Sequence, residues 1–146
     1  MSNQSKQGAI ARRSQAGFTL VELSVVIVII GVLAAFGVPR FRAAVERSKA
    51  GEAFNYLTSI RSAQENYNNR EGTYTTDLNA LDIKMTVPKY FDLGTMGADE
   101  NGWNLILTRK AGSSGYGAYI VGFDQDGYNN NSSMSNISSE INPMSI

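Results

Sequence analysis

The chain of 146 residues contains no cysteine and no histidine. The first absence excludes disulfides, thiolate nucleophiles and cysteine metal sites; the second removes the commonest general base and the commonest metal ligand. Most hydrolytic and redox constellations are therefore out of reach, although a lack of cysteine does not by itself fix the compartment. Charge of neither sign dominates, with 13 Lys and Arg against 13 Asp and Glu. Lys6, Arg12 and Arg13 all precede Phe18 with no acid among them, so without that piece 10 basic residues face 13 acidic ones. A mildly acidic remainder lacks the electrostatic footprint of a nucleic-acid binder, and no nucleic-acid site is expected.

What the chain does have is one long apolar run. From Phe18 to Val38, just before Pro39, only Thr19, Glu22 and Ser24 are polar. As a helix rising about 1.5 Å per residue this run covers roughly 30 Å, enough to cross a bilayer. Glu22 is its anomaly, since an acid well inside a membrane costs about 2.5 to 3.5 kcal/mol even on lenient insertion scales. Two readings of Glu22 follow: an interfacial carboxylate that snorkels or protonates, or a group with a dedicated partner.

Residues 1–17, MSNQSKQGAIARRSQAG, are polar and basic and show no hydrophobic period, which reads as a leader or as an attached tail. The run Gly17-Phe18-Thr19-Leu20-Val21-Glu22-Leu23, preceded by Arg12 and Arg13 and followed by the apolar segment and Pro39, closely resembles the cleavage and methylation motif of type IV prepilins and type II secretion pseudopilins. The resemblance implies that a prepilin peptidase cuts after Gly17 on the cytoplasmic side and that the new terminus, Phe18, is N-methylated. It also implies that Glu22 pairs with the Phe18 amine of a neighbouring subunit during assembly, a cation with an ordinary pKa of roughly 8. The competing reading is an ordinary signal peptide cut after Val32-Leu33-Ala34 or Leu33-Ala34-Ala35, which would release a soluble domain.

Beyond Pro39 a helical period continues through Phe41, Ala44, Val45 and Ser48, then Phe54, Leu57, Ile60 or Arg61, Gln64 and Tyr67. Glu46, Glu52 and Glu65 alternate with Arg42, Arg47, Lys49, Arg61 and Arg70, the pattern of an exposed charged face, and Gly72 is a stop signal. A helix from Phe18 to about Glu71 is expected, with Gly37 and Pro39 as the place where it bends or melts. Tyr74, Leu78, Leu81 and Ile83 read as loop anchors on that helix, with a short helical turn over 76–81.

Three strands are expected, over 89–93, 103–110 and 118–123, separated by Gly, Ser and Asn clusters. In the second, alternation turns Trp103, Leu105 and Leu107 toward the helix. The Asn- and Ser-rich tail from Asp124 to Ile146 has little to bury and reads as surface-laid or partly disordered, with Ile137, Ile141 and Met144 available to tack it down.

Candidate sites beyond the motif are weak. Asp124 and Asp126, followed by Asn129 to Asn131, collect oxygens suited to calcium, but Gly127 stands in the wrong place for an EF-hand, and an Asp-Gly turn explains the pattern equally. Some type II major pseudopilins hold calcium near their last strands, which keeps this reading open. Apart from calcium no cofactor is expected. Trp103, Tyr116 and Tyr119 could form a stacking platform but lack a basic cluster, so core packing is the expectation. Glu46, Glu52 and Glu65 sit among helix-surface cations with no implied cleft, and no catalytic site is expected.

The sequence thus predicts an α+β, pilin-like subunit in three parts: a leader over 1–17, a transmembrane and assembly helix over 18–39, and a globular domain over 40–146. That domain would pack an amphipathic helix over 40–71 on a three- to four-stranded antiparallel sheet. The resemblance implies a single-pass protein of the inner (cytoplasmic) membrane, leader cytoplasmic and globular domain outside, that polymerises into a periplasmic or extracellular filament. Its implied partners are further copies of itself, prepilin peptidase, the lipid bilayer, and an inner-membrane assembly platform with its ATPase. A surface pilus and a type II secretion pseudopilus both fit; a tethered binding module that never polymerises is the third reading.

Overall fold

A computed structural model describes residues 17–112 and 115–145. They fall into two compact units, the first ending at Gly37 and the second covering Val38–Ile146. Helix α1 runs from Leu20 to Glu71, 52 residues with Pro39 inside it. Residues 37–39 are helical, so the expected melt is absent from the single chain. Proline leaves one carbonyl of the preceding turn without its intrahelical donor, which a long helix tolerates at one position. At the far end Gly72, at φ 77°, sits in the left-handed region, and its N–H donates to Asn68 O at 2.8 Å, the glycine stop that the sequence signals.

Of the first unit, the described residues from Leu20 onward are helix, and their large side chains are uncovered: Leu20 is 83% exposed and Phe36 74%. The second unit holds the core. Ala50, Ala53, Phe54, Leu57 and Ile60, recurring three and four apart on α1, are buried against Phe91, Trp103, Leu105, Leu107, Val121 and Phe123 from the sheet and Tyr119 just before its fourth strand. Full burial of a side chain such as Leu57 or Leu107 contributes about 1.5 to 3 kcal/mol each. The buried stripe begins at Glu46 and Ala50, however, and leaves Phe41 and Val45 exposed, so the expected apolar line through Phe41, Ala44, Val45 and Ser48 is not covered in the subunit.

Among the described residues the sheet is antiparallel throughout and has five strands: β1 (Phe91–Leu93), β2 (Gly97–Ala98), β3 (Trp103–Arg109), β4 (Ile120–Asp124) and β5 (Gly127–Asn129). The order is β1-β3-β4-β5, with β2 also paired to β3. β1 lies against Leu107 to Arg109 and β2 against Trp103 and Asn104, so the two share one edge of β3 in succession. Between them Gly94 donates its N–H to Ile106 O at 2.9 Å, and a Cβ there would come within 2.7 Å of that oxygen, which requires glycine.

The expected sheet of three to four strands is therefore one or two strands short, β2 and β5 being the ones without an expected segment. β2 and β5, two and three residues long and containing glycine, are too short to show an alternation. The first expected strand loses Lys89 and Tyr90 to a turn closed by Phe91 N–H on Pro88 O, and the third, expected over 118–123, runs instead from Ile120 to Asp124.

Loop 73–83 is fixed to the helix as much by a polar clasp as by its anchors. Buried Gln64 donates from Nε2 to Thr75 O at 2.6 Å, and its Oε1 accepts from Thr75 N at 3.1 Å. Leu81 is buried and Tyr74, Leu78 and Ile83 pack partly against the core. The expected helical turn is a single 3-10 turn, Leu78–Ala80, capped by Asp77. The described part of the tail is surface-laid: Ser135 Oγ accepts from Gly122 N, Asn136 Oδ1 accepts from Ile120 N, and Ile141 is buried at 1% exposure. Met144, at 59%, tacks nothing down.

Candidate functional site

The motif end of α1 is built around two side chains. Thr19 O accepts from Leu23 N, the first intrahelical bond, which makes Thr19 the helix cap. Its hydroxyl accepts from Glu22 N at 3.2 Å, while Glu22 Oε2 accepts from Thr19 N at 2.8 Å and from Thr19 Oγ1 at 2.9 Å. This reciprocal arrangement is a capping box, and its signature, a threonine followed three residues later by glutamate ahead of an apolar run, is present in the sequence. Neither expected reading of Glu22, a snorkelling interfacial carboxylate or a group paired with a neighbouring subunit, includes this cap. In the single chain Thr19 supplies the partner. Gly17 and Phe18 precede the cap as exposed residues, Phe18 at 83%, so the expected cleavage bond and the Glu22 carboxylate share one short accessible stretch. The rest of the expected leader lies outside the described residues.

From this cap the helix continues apolar and uncovered. It contains a stretch long and apolar enough to cross a membrane by length and composition, and none of that stretch is buried by the chain itself. Gly31 and Gly37 have open space where a Cβ would stand.

A second polar centre occupies the start of the globular core. Arg109 donates from Nε to Glu46 Oε1 at 2.6 Å and from Nη2 to Glu46 Oε2 at 3.2 Å, while the Tyr119 hydroxyl donates to Glu46 Oε1 at 3.1 Å. Glu46 is fully buried and Arg109 is 4% exposed. Burial by itself would raise the Glu46 carboxyl; the hydrogen bonds and charge of Arg109, with Tyr119 and Lys49, outweigh it and hold the group below its ordinary value of 4.5. The same contact raises Arg109, and burial followed by the Glu46 charge raises the Tyr119 phenol.

The reading of Glu46 as a surface acid is therefore overturned. The missed signal lies in β3, where Arg109 falls in the same alternation phase as Trp103, Leu105 and Leu107, all buried. A cation at the inward phase calls for a buried anion on the facing helix.

The calcium pair stands at the β4–β5 hairpin, where Asp124 opposes Gly127 and residues 125 and 126 make the turn. Asp124 Oδ1 accepts from Asp126 N at 3.0 Å and Oδ2 from Asn129 Nδ2 at 2.6 Å, so both oxygens hold the hairpin, and Gly127 at φ 117° completes the turn. No group of three or more His, Cys, Asp or Glu gathers for a metal among the described residues. Trp103 and Tyr119 are core residues, as expected, and offer no stacking platform. Glu65 accepts from the Tyr74 hydroxyl at 3.3 Å and Glu52 is exposed; they share no cleft with Glu46.

An uncovered apolar helix that starts at a threonine–glutamate box, carried by a small helix-on-sheet domain, agrees with comparisons to known proteins. Residues 12–38 match the prokaryotic N-terminal methylation motif. The chain is 36% identical over 112 residues to fimbrial protein EcpC of Eikenella corrodens, an alignment that covers 76% of this chain and 72% of that protein. It is 32% identical over 109 residues to the type IV wide pilus major component PilA4 of Thermus thermophilus, covering 73% of this chain and 82% of the relative. A type II secretion system core protein G, from Klebsiella michiganensis, is 38% identical over 80 residues, covering 53% of this chain and 56% of that protein. The chain belongs to the family of type IV pilins and type II secretion pseudopilins.

Proposed function

We propose that this chain is the structural subunit of a type IV pilus-like filament. The single observation that carries the reading is the apolar helix that begins at the matched methylation motif and is left bare by its own domain. Such a surface needs lipid before assembly and other helices after it. The leader 1–17 is cut after Gly17 by prepilin peptidase, Phe18 becomes the free and methylated terminus, and residues 18–39 hold the subunit in the inner membrane with the globular domain 40–146 outside.

In assembly, an inner-membrane platform and its ATPase lift subunits into the growing filament. The Phe18 amine of one copy then meets Glu22 of its neighbour. That pairing competes with the Thr19 cap, so Glu22 exchanges an internal partner for one on another chain. Gly37 and Pro39, helical in the single chain, are where the helix loosens as subunits pack.

A second filament, the type II secretion pseudopilus, is supported by the likeness to core protein G and uses the same assembly chemistry for a different purpose. Electron microscopy of sheared surface material from cells that express the chain tests the two readings. Long surface filaments containing the chain support a pilus, short filaments confined to the periplasm a pseudopilus, and a membrane protein that forms neither refutes both.

A further inference from the structure

The globular unit carries opposite charge at the two ends of its sheet. At one end Tyr90 has three cations over its ring: Lys49 Nζ lies 4.8 Å from the centroid, Lys89 Nζ 5.8 Å and the Arg109 guanidinium 5.4 Å. Lys110 joins them by donating to Lys89 O at 3.2 Å. Lys49, Tyr90, Arg109 and Lys110, with Arg42, Phe41 and Val45 from the helix and Gly112 from the loop after β3, border a groove of about 340 Å³, and Lys89 stands beside it over the Tyr90 ring. The anions here are already engaged, Glu46 with Arg109 and Lys49, and Asp92 with Lys110 at 3.5 Å. So many cations around one ring repel one another unless a further anion arrives.

The other end is acidic. Because β3 and β4 are antiparallel, with Asn104 opposite Asp124, the β2–β3 and β4–β5 turns project from the same end of the sheet. They carry Asp99, Glu100, Asp124 and Asp126, of which Asp99, Glu100 and Asp126 are exposed. The cation found beside them is Arg61, whose Nε donates to Gln125 O at 3.0 Å. Tyr74 links this end to the helix, donating its N–H to Asp99 O and its hydroxyl to Glu65. Sixteen residues of α1 separate Lys49 from Glu65, so the two patches lie about 24 Å apart along the helix.

We propose that the groove bordered by Phe41, Val45, Tyr90 and Lys110 receives the acidic β2–β3 turn, Asp99 and Glu100, of a second copy of this chain. The inference rests on the filament reading and adds to it a head-to-tail contact between globular domains. Charge complementarity selects this occupant, because the anion that the groove lacks is presented, exposed, at the opposite end of the same unit. Phe41 and Val45, uncovered in the single chain, add apolar area at the lip. A heterologous interface that joins unlike patches at opposite ends of a subunit propagates as an open filament when its rotation does not close a ring, and so is compatible with the filament reading. The opposed charges set register and encounter rate more than total affinity, which leaves the apolar helices as the main driving force.

The chain's lack of cysteine makes the test clean. Full-length chain carrying both Gly112→Cys and Asn101→Cys, which leaves Asp99 and Glu100 in place, is expressed in cells that assemble it, and sheared filaments are oxidised and run without reductant. The contact predicts a ladder extending beyond dimer, whereas each single variant gives no ladder. In parallel, Lys89→Glu should lower filament yield about tenfold, and adding Glu100→Lys should restore it. Filaments without a ladder, at undiminished yield in Lys89→Glu, overturn the contact and leave the filament reading standing. A loss that Glu100→Lys does not repair, again with no ladder, overturns it in favour of an anionic lipid surface as the occupant. Unprocessed wild-type chain with no filament overturns the filament reading and this inference together.

Discussion

Arg109 Nε stands 2.6 Å from Glu46 Oε1, joining the last residue of β3 to a helix residue 63 positions earlier in the chain. Both partners are buried, so removing one strands a charge in the core. Glu46→Ala should destabilise the domain by about 3 to 5 kcal/mol, whereas Glu46→Met combined with Arg109→Leu should recover most of that loss. Denaturant unfolding of the full chain in detergent, followed by the fluorescence of Trp103, measures both. A single variant that unfolds at the wild-type midpoint would show that the pair does not fasten helix to sheet.

The same pair fixes the sign of an acid response. The folded Glu46 carboxyl titrates below its ordinary value of 4.5, so its contribution is complete above that pH and is lost as pH falls through the lower folded value. Thermal midpoints should therefore decline on acidification below about pH 4.5. The decline should be shallower in Glu46→Gln, which has no proton to take up. Equal slopes in the two proteins would assign the acid sensitivity to other carboxylates.

Much of this fold is legible in the sequence because it follows from period and punctuation. Phe54, Leu57 and Ile60 fall on one helical face, Trp103, Leu105 and Leu107 on one strand face, and Gly72 ends the helix, all as the pattern predicts. What is not legible depends on partners distant in sequence. Glu46 looks like one more charge on a charged face until β3 places Arg109 beside it, and Gln64 looks like a gap in an apolar stripe until Thr75 folds back onto it. Glu22 is a different case, since its capping partner Thr19 is three residues away and the threonine–glutamate spacing is itself written in the sequence. Phe41 and Val45 follow the apolar period yet stay exposed, because periodicity reports that a face will be covered without saying which molecule covers it.

The tail is held through a close approach. A Cβ on Gly122 would lie 2.6 Å from Met134 O and 3.0 Å from the Met134 methyl group. Gly122→Val should displace residues 134–136, break the Ser135 and Asn136 hydrogen bonds to β4, and cost about 1 to 3 kcal/mol. Hydrogen exchange at the Gly122 and Ile120 amides reads this directly. Unchanged protection would mean that the tail packs elsewhere.

Glu22→Ala should insert, lose its leader and yet assemble poorly, since it removes the acceptor for the neighbour's Phe18 amine. It also removes one arm of the Thr19 box, so Glu22→Gln is the sharper variant: it retains an acceptor for Thr19 without the charge. Filament yield in sheared fractions should fall in both. Wild-type yield from Glu22→Gln would show that the carboxylate acts as a helix cap and not as a counter-charge.

Gly17→Asp should leave the leader attached, because the resemblance implies a peptidase pocket that accepts only a small residue before the cut. The heavier species would stay in the membrane fraction. Normal processing of that variant would place the cut elsewhere.

Cleavage after Gly17 is proposed to free the terminus that is built into the filament. Mass spectrometry of the subunit recovered from sheared filaments tests it most directly. The predicted result is a chain that begins at Phe18 and carries one added methyl group on its terminal amine. A subunit that retains residues 1–17, or a soluble domain cut after Ala34 or Ala35, would contradict it.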